Sequence, residues 1–112
     1  MTKDWRIYIE HILESISLIG KYLEGKSKDD FLSSIQLQDS VNRRIEIIGE
    51  AVKNIPNEVK IHYPDVPWNE ISGMRDILIH KYFGIDLELT WEAVTREIPE
   101  LKEQMLRINK DF

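Results

Sequence analysis

The chain has 112 residues, enough for one domain with a single core and too few for two. Its 42% apolar and 31% charged residues fit a globular protein rather than a disordered one, and the absence of cysteine excludes disulfides, thiolate nucleophiles and thiol metal sites. A net charge of −5 argues against a broad basic surface for duplex nucleic acid, so any such contact must come from a local patch or cleft.

No apolar run approaches the roughly 18 residues that span a bilayer, which predicts no membrane insertion. The N-terminus, MTKDWRIYIEHIL, carries scattered charges and no small-residue cleavage site, so it does not read as a secretory signal, and a cytoplasmic location is expected.

Helical spacing runs almost throughout. Trp5, Ile9, Ile12, Ile16, Ile19 and Leu23 recur at three- and four-residue steps, and Gly25 is placed to end that helix. Ser27 followed by Asp30 has the form of a capping box for the next segment. Leu37, Val41, Ile45, Ile48, Val52 and Ile55 make a second stripe, stopped by Pro56. Pro56 to Pro67 reads as a connector with room for one short helical turn. Pro67 suits the first position of a third helix running through Ile71, Met74 and Leu78 to Gly84. Asp86 is placed to cap a fourth, with Leu87, Trp91, Val94, Ile98, Leu101 and Met105 on its apolar face, and Pro99 should kink or split it. No strand pattern, repeat or low-complexity tract interrupts this. The expectation is a single all-α domain over residues 1–112, an up-and-down bundle of four to five helices.

The third helix is unusual. At about 100° per residue from Ile71, Met74, Leu78 and Tyr82 lie within about 60°, with Arg75 at about 40° on the stripe's edge. Asp76, His80 and Phe83 fall on the other side, and Ile77 and Ile79 fill the flanks. A helix apolar nearly all round is covered on more than one side, and in so small a domain the second cover is expected to be another subunit. Asp76 lies four residues before His80 on the same face, where a carboxylate would orient the imidazole and favour its protonated form. Arg75 needs an acidic partner if it is buried, and Glu50, beside Gly49 on the neighbouring helix, is the candidate.

The eight residues Arg75-Asp-Ile-Leu-Ile-His80-Lys-Tyr82 match the Arg-x4-His-x-Tyr motif of HepT-like HEPN toxins. Ile48-Gly49-Glu50-Ala51, Trp68 with Gly73-Met74, and Gly84-Ile85-Asp86 followed by Trp91 are also similar to that family, so the resemblance covers nearly the whole chain. It implies a HEPN-like fold and an endoribonuclease toxin of a toxin–antitoxin pair, with Arg75 and His80 catalytic. It implies, too, a small nucleotidyltransferase antitoxin that transfers AMP to the motif tyrosine, Tyr82 here. The chemistry is compatible. Metal-free RNA cleavage needs a base for the 2′-hydroxyl, an acid for the leaving 5′-oxygen and a cation for the phosphate. Histidine serves as base or acid near neutral pH, and arginine offers fixed donors to phosphate. One chain has a single well-placed histidine for two proton transfers, so a two-fold homodimer joining both copies of His80 and Arg75 is expected.

Blander readings stand beside these. His80 alone also fits a structural or surface histidine, Arg75 a bundle-edge salt bridge, and Tyr82 a core tyrosine with a bonded hydroxyl. His11 and His62 have no companion at ligand spacing, so no metal or cofactor is expected. Trp5, Trp68 and Trp91 read as core. Arg43, Arg44, Lys53 and Lys81 are the basic residues available for an RNA path, or else a solvated face. The substrate expected is RNA and not DNA; the rival readings are a non-catalytic helical subunit that binds a nucleotidyltransferase partner and a plain dimeric structural bundle whose motif is inherited but idle.

Overall fold

A computed structural model describes residues 4–79 and 86–111, with the backbone alone at residues 75 and 77–79. The expected stop at Gly84 therefore lies outside the described residues. Among them every regular element is helical: α1 (Arg6–Leu23), α2 (Lys28–Leu32), α3 (Ile35–Lys53), α4 (Asn57–His62), α5 (Trp68–Ile79), α6 (Leu87–Glu92), a π-helical turn (Ala93–Glu97) and α7 (Ile98–Asp111).

The punctuation follows local chemistry. Gly25 takes φ +72°, a left-handed conformation that glycine reaches without a Cβ penalty, and the chain turns there after α1. At Ser27 the hydroxyl accepts the Asp30 N–H at 3.1 Å while the Asp30 carboxylate accepts the Ser27 N–H at 2.8 Å, a complete capping box. The helix it starts is short. Ser33 and Ser34 interrupt it, and the Ser34 hydroxyl, accepting from Leu37 N–H at 3.2 Å, caps α3 separately. The Asp86 carboxylate accepts the Leu89 N–H at 3.0 Å and caps α6. Pro67 stands one residue earlier than expected, as the residue before α5, its carbonyl accepting from Ile71 N–H at 3.0 Å.

Pro99 splits the last rod, as expected, into α6 and α7, and a π turn stands between them. The proline has no N–H for the carbonyl of Thr95, and the chain widens just ahead of it into the π turn, where Ile98 N–H reaches back five residues to the Ala93 carbonyl. The Thr95 hydroxyl donates to the Trp91 carbonyl at 2.8 Å and approaches that of Glu92 at 3.3 Å, holding the turn.

Four long rods (α1, α3, α5, and α6 through α7) enclose one core, with α2 and α4 closing its ends, and the molecule as a whole measures 44 × 30 × 26 Å. Ile9, Ile12, Ile16 and Ile19 of α1 meet Val41, Ile45, Ile48 and Val52 of α3, and Ile98, Leu101, Met105 and Ile108 complete the interior. At one end Tyr63 donates to Asp111 at 2.7 Å, and Arg107 holds both carboxylate oxygens of Asp65 at 2.8 Å. There Trp68 Nε1 also donates to the Tyr63 carbonyl at 3.1 Å, so α5 starts beside the end of α7. At the opposite end Lys28 pairs with Glu88, and the rings of Phe31 and Trp91 lie 5.6 Å apart, so α6 starts beside α2. Hence α5 crosses the molecule from the first end to the second, while α3, which follows α2, crosses the other way.

Candidate functional site

Helix α5 carries the beginning of the Arg-x4-His-x-Tyr motif, and its position is set by three contacts. Trp68 anchors its first turn through the indole bond to Tyr63, with only 8% of the residue exposed. Ile71 and Met74 are buried against the core. On the side facing α3, Gly49 lies so close that a Cβ there would stand 3.4 Å from the Ser72 carbonyl oxygen and 3.7 Å from that of Ile71. The close approach expected from the glycine is present, with room between the helices for a single methyl in ordinary van der Waals contact.

Arg75 is on α5, one turn beyond Ser72; its side chain, and His80, Lys81 and Tyr82 entirely, lie outside the described residues. Asp76 is exposed on the same helix. Glu50 does not share the α5-facing side of Gly49: it is exposed and lines a groove between α1 and α3, with Tyr8, His11, Arg43 and Asn54. Of the basic residues, Arg43 stands 3.4 Å from Glu46, Lys53 is exposed and Arg44 is half-buried with its Nε turned into the protein. His11 packs edge-on against Tyr8 with ring centroids 6.0 Å apart, and His62 is exposed. No group of three or more metal-ligating side chains occurs among the described residues. Trp5, Trp68 and Trp91 all belong to or pack on the core, as expected.

The other flank of α5 borders a cleft of about 480 Å³ against the last rod, floored by Ile71, Met74 and Leu89. Glu70, Glu97 and Glu100 rim it. Such a rim repels phosphate. No described helix is long and apolar enough to cross a membrane.

The sequence reading missed Asn42 of α3. Its residue is 7% exposed, and its side-chain N–H₂ is buried without a hydrogen-bond partner among the described residues. A lone polar residue between Val41 and Arg43 gives no periodic signal, and only the packing reveals its burial.

Comparison with known proteins agrees over most of the chain. The family described as "Ribonuclease HepT-like" matches residues 12–108. A Methanocaldococcus jannaschii protein named "Gamma-glutamylcyclotransferase and putative RNase" is 58% identical over the whole chain, which spans 50% of that relative. A "Putative RNase" of Caldanaerobacter subterraneus is 46% identical over 92% of each chain. "Probable ribonuclease HepT" of Thermococcus cleftensis is 43% identical over 98% of this chain and 100% of its own. No solved structure matches. The matched span takes in α1 from its second turn, all of α3 and α5, and the Arg75–Tyr82 motif between them and the last rod, and on that ground the chain belongs to the HepT-like ribonuclease family.

Proposed function

We propose that this domain is the endoribonuclease toxin of a toxin–antitoxin pair, cleaving RNA without metal at a cleft formed by a homodimer. What carries the reading is the family match over residues 12–108 together with the intact Arg75, His80 and Tyr82 of the family motif within it.

In this mechanism one His80 removes the proton from a 2′-hydroxyl, and that oxygen attacks the adjacent phosphorus. The bond from phosphorus to the 5′-oxygen breaks, and the second His80, contributed by the partner copy, protonates the leaving oxygen. The products are a 2′,3′-cyclic phosphate and a 5′-hydroxyl. Arg75 stabilises charge on the phosphate as it becomes crowded, and its planar donors suit that geometry better than an ammonium would. Asp76 orients the imidazole one turn away. Glu50, exposed in the α1–α3 groove, is the acidic partner offered to Arg75. The nucleophile is RNA's own 2′-hydroxyl, so DNA is not a substrate.

Control follows from Tyr82. A nucleotidyltransferase antitoxin that transfers AMP from ATP, the deprotonated Tyr82 oxygen attacking the α-phosphorus and pyrophosphate leaving, would place a phosphodiester anion and a bulky base beside Arg75 and His80, occupying the arginine and blocking RNA.

The test is incubation of the purified protein with a mixed-sequence RNA and with DNA of the same sequence, each with and without EDTA. RNA fragments ending in 2′,3′-cyclic phosphate, with DNA untouched, are expected. Cleavage of both, or cleavage that EDTA stops, would overturn the mechanism.

A further inference from the structure

Glu97, Glu100, Leu101 and Gln104 are spaced at three- and four-residue steps, so they share one face of the last rod. Glu70 and Met74 are likewise one turn apart on α5, with Ile71 between them. The two faces meet across the cleft of about 480 Å³, a size in the usual range of about 300–1,000 Å³ for ligand-binding clefts. Its floor is apolar. Ile71, Met74 and Leu101 are buried in the core, and Leu89 is only half-buried. Ala93 and Glu97 of the π turn line it as well, and π-helical turns are frequent at functional sites.

The rim carries charge that the fold leaves unneutralised. Glu70, Glu97 and Glu100 are exposed, and none has an ion-pair or hydrogen-bond partner for its carboxylate among the described residues. Acids nearby are treated differently. Asp65, at the end of the same cleft, is held by Arg107, Glu92 by Arg96, and Glu88 by Lys28. Like charges gathered around a low-dielectric floor repel one another, and a cation brought among them relieves this.

That sign selects the occupant. RNA and an anionic membrane surface carry the wrong charge. A second copy seated here by two-fold symmetry would set the same carboxylates against each other, in a chain whose net charge is already −5. A polyamine meets the carboxylates but offers the floor only a thin methylene chain. We propose that the cleft is the docking site of a basic amphipathic segment of a partner protein. A branched or aromatic anchor sits on Ile71, Met74 and Leu89, while flanking Lys or Arg side chains meet Glu70, Glu97 and Glu100. The stems of those basic side chains also cover apolar surface on their way to the rim. The docking site is independent of the ribonuclease reading.

The probe is a fluorescein-labelled synthetic peptide of about three helical turns, with leucines along one face and lysines on both flanks, read by fluorescence anisotropy in physiological salt. Wild type should bind it saturably, and replacing the leucines by serine or the lysines by glutamate should abolish binding. Glu70→Gln, Glu97→Gln and Glu100→Gln combined should raise Kd by about tenfold or more. The same charge removed from exposed carboxylates outside the cleft, by Glu14→Gln, Glu24→Gln and Glu58→Gln, should change Kd by less than about twofold, because distant charges are screened. Glutamine is isosteric and all six positions are exposed, so both variants should keep the wild-type circular dichroism. A benzoylphenylalanine in place of the central leucine should crosslink to the cleft floor of the wild type, Met74 included. Equal weakening by both triple variants would reduce the attraction to net charge and overturn the proposal. So would crosslinks outside the floor, or no saturable binding. Spermine that binds as tightly as the peptide and displaces it would make the cleft a polyamine site, and a change in sedimentation mass on neutralising the rim would make it a contact between copies; either result overturns the proposal.

Discussion

The sharpest consequence of the α3–α5 contact is that two substitutions at Gly49 should move stability in opposite directions. Alanine puts a single methyl 3.4 Å from the Ser72 carbonyl oxygen, an ordinary van der Waals distance. It also removes the backbone-entropy cost of glycine inside a helix, about 0.5–1 kcal/mol. Gly49→Ala should therefore stabilise by up to about 1 kcal/mol. Valine adds two γ-carbons on a side chain with one strongly preferred rotamer, and the neighbouring atoms are backbone of α5, which cannot turn aside as a flexible side chain would. Overpacking of this kind typically costs about 1–3 kcal/mol. For a domain of this size 1 kcal/mol corresponds to about 4 °C, so the two variants should differ in melting temperature by about 5–15 °C. Circular dichroism at 222 nm during heating reads this directly. Because valine must push α5 away, it should also slow RNA cleavage at temperatures where the variant is still folded. If the Gly49→Ala and Gly49→Val variants melt within a degree of each other, Gly49 is not where the two helices meet.

Trp68→Phe removes the indole bond to the Tyr63 carbonyl but leaves that oxygen its second donor, the Val66 N–H at 3.1 Å; the loss should be about 1–2 kcal/mol in urea unfolding, and no loss would mean that the indole does not anchor α5. The hydrogen bond from Arg107 holds the Asp65 carboxyl below its ordinary range, so its contribution is present above pH 4 and is lost as pH falls through the lowered value. Arg107→Met should thus flatten the acid side of the melting-temperature profile, and an unchanged profile would refute the link. Tyr82→Phe should escape AMP transfer by a nucleotidyltransferase partner given ATP and magnesium, while keeping some cleavage; a phenylalanine variant that still gains the mass of AMP removes Tyr82 as acceptor.

Much of the fold was legible because its signals are local. Ser27 with Asp30, Gly25 and Asp86 each act on backbone groups within four residues, so their roles can be read without the tertiary structure. The stripes of α1, α3 and the last rod are long enough for their period to be unmistakable. The connector was harder. Val59, Tyr63, Val66 and Trp68 are all buried, yet they are spaced irregularly among three prolines and present no period. The π turn was not legible either, since Pro99 announces a disturbance without saying whether the helix bends, breaks or widens. At the site, Gly49 correctly signalled a close approach, but Glu50 beside it points about 100° away, into the α1–α3 groove. Adjacent residues on a helix share a position along it and not a direction. Asn42 shows the reverse limit: its place on α3 was readable, while the burial of its amide, without a partner among the described residues, was not.

The central claim, that the Arg75–His80 motif cleaves RNA, is tested most directly by single-turnover cleavage with wild type, His80→Ala and Arg75→Ala at matched concentration, each checked for helicity and dimer mass. The account predicts cleavage by the wild type to 2′,3′-cyclic phosphate ends and a loss of at least about a hundredfold for His80→Ala, with its fold and dimer intact. A folded His80→Ala protein that cleaves RNA at the wild-type rate would contradict it.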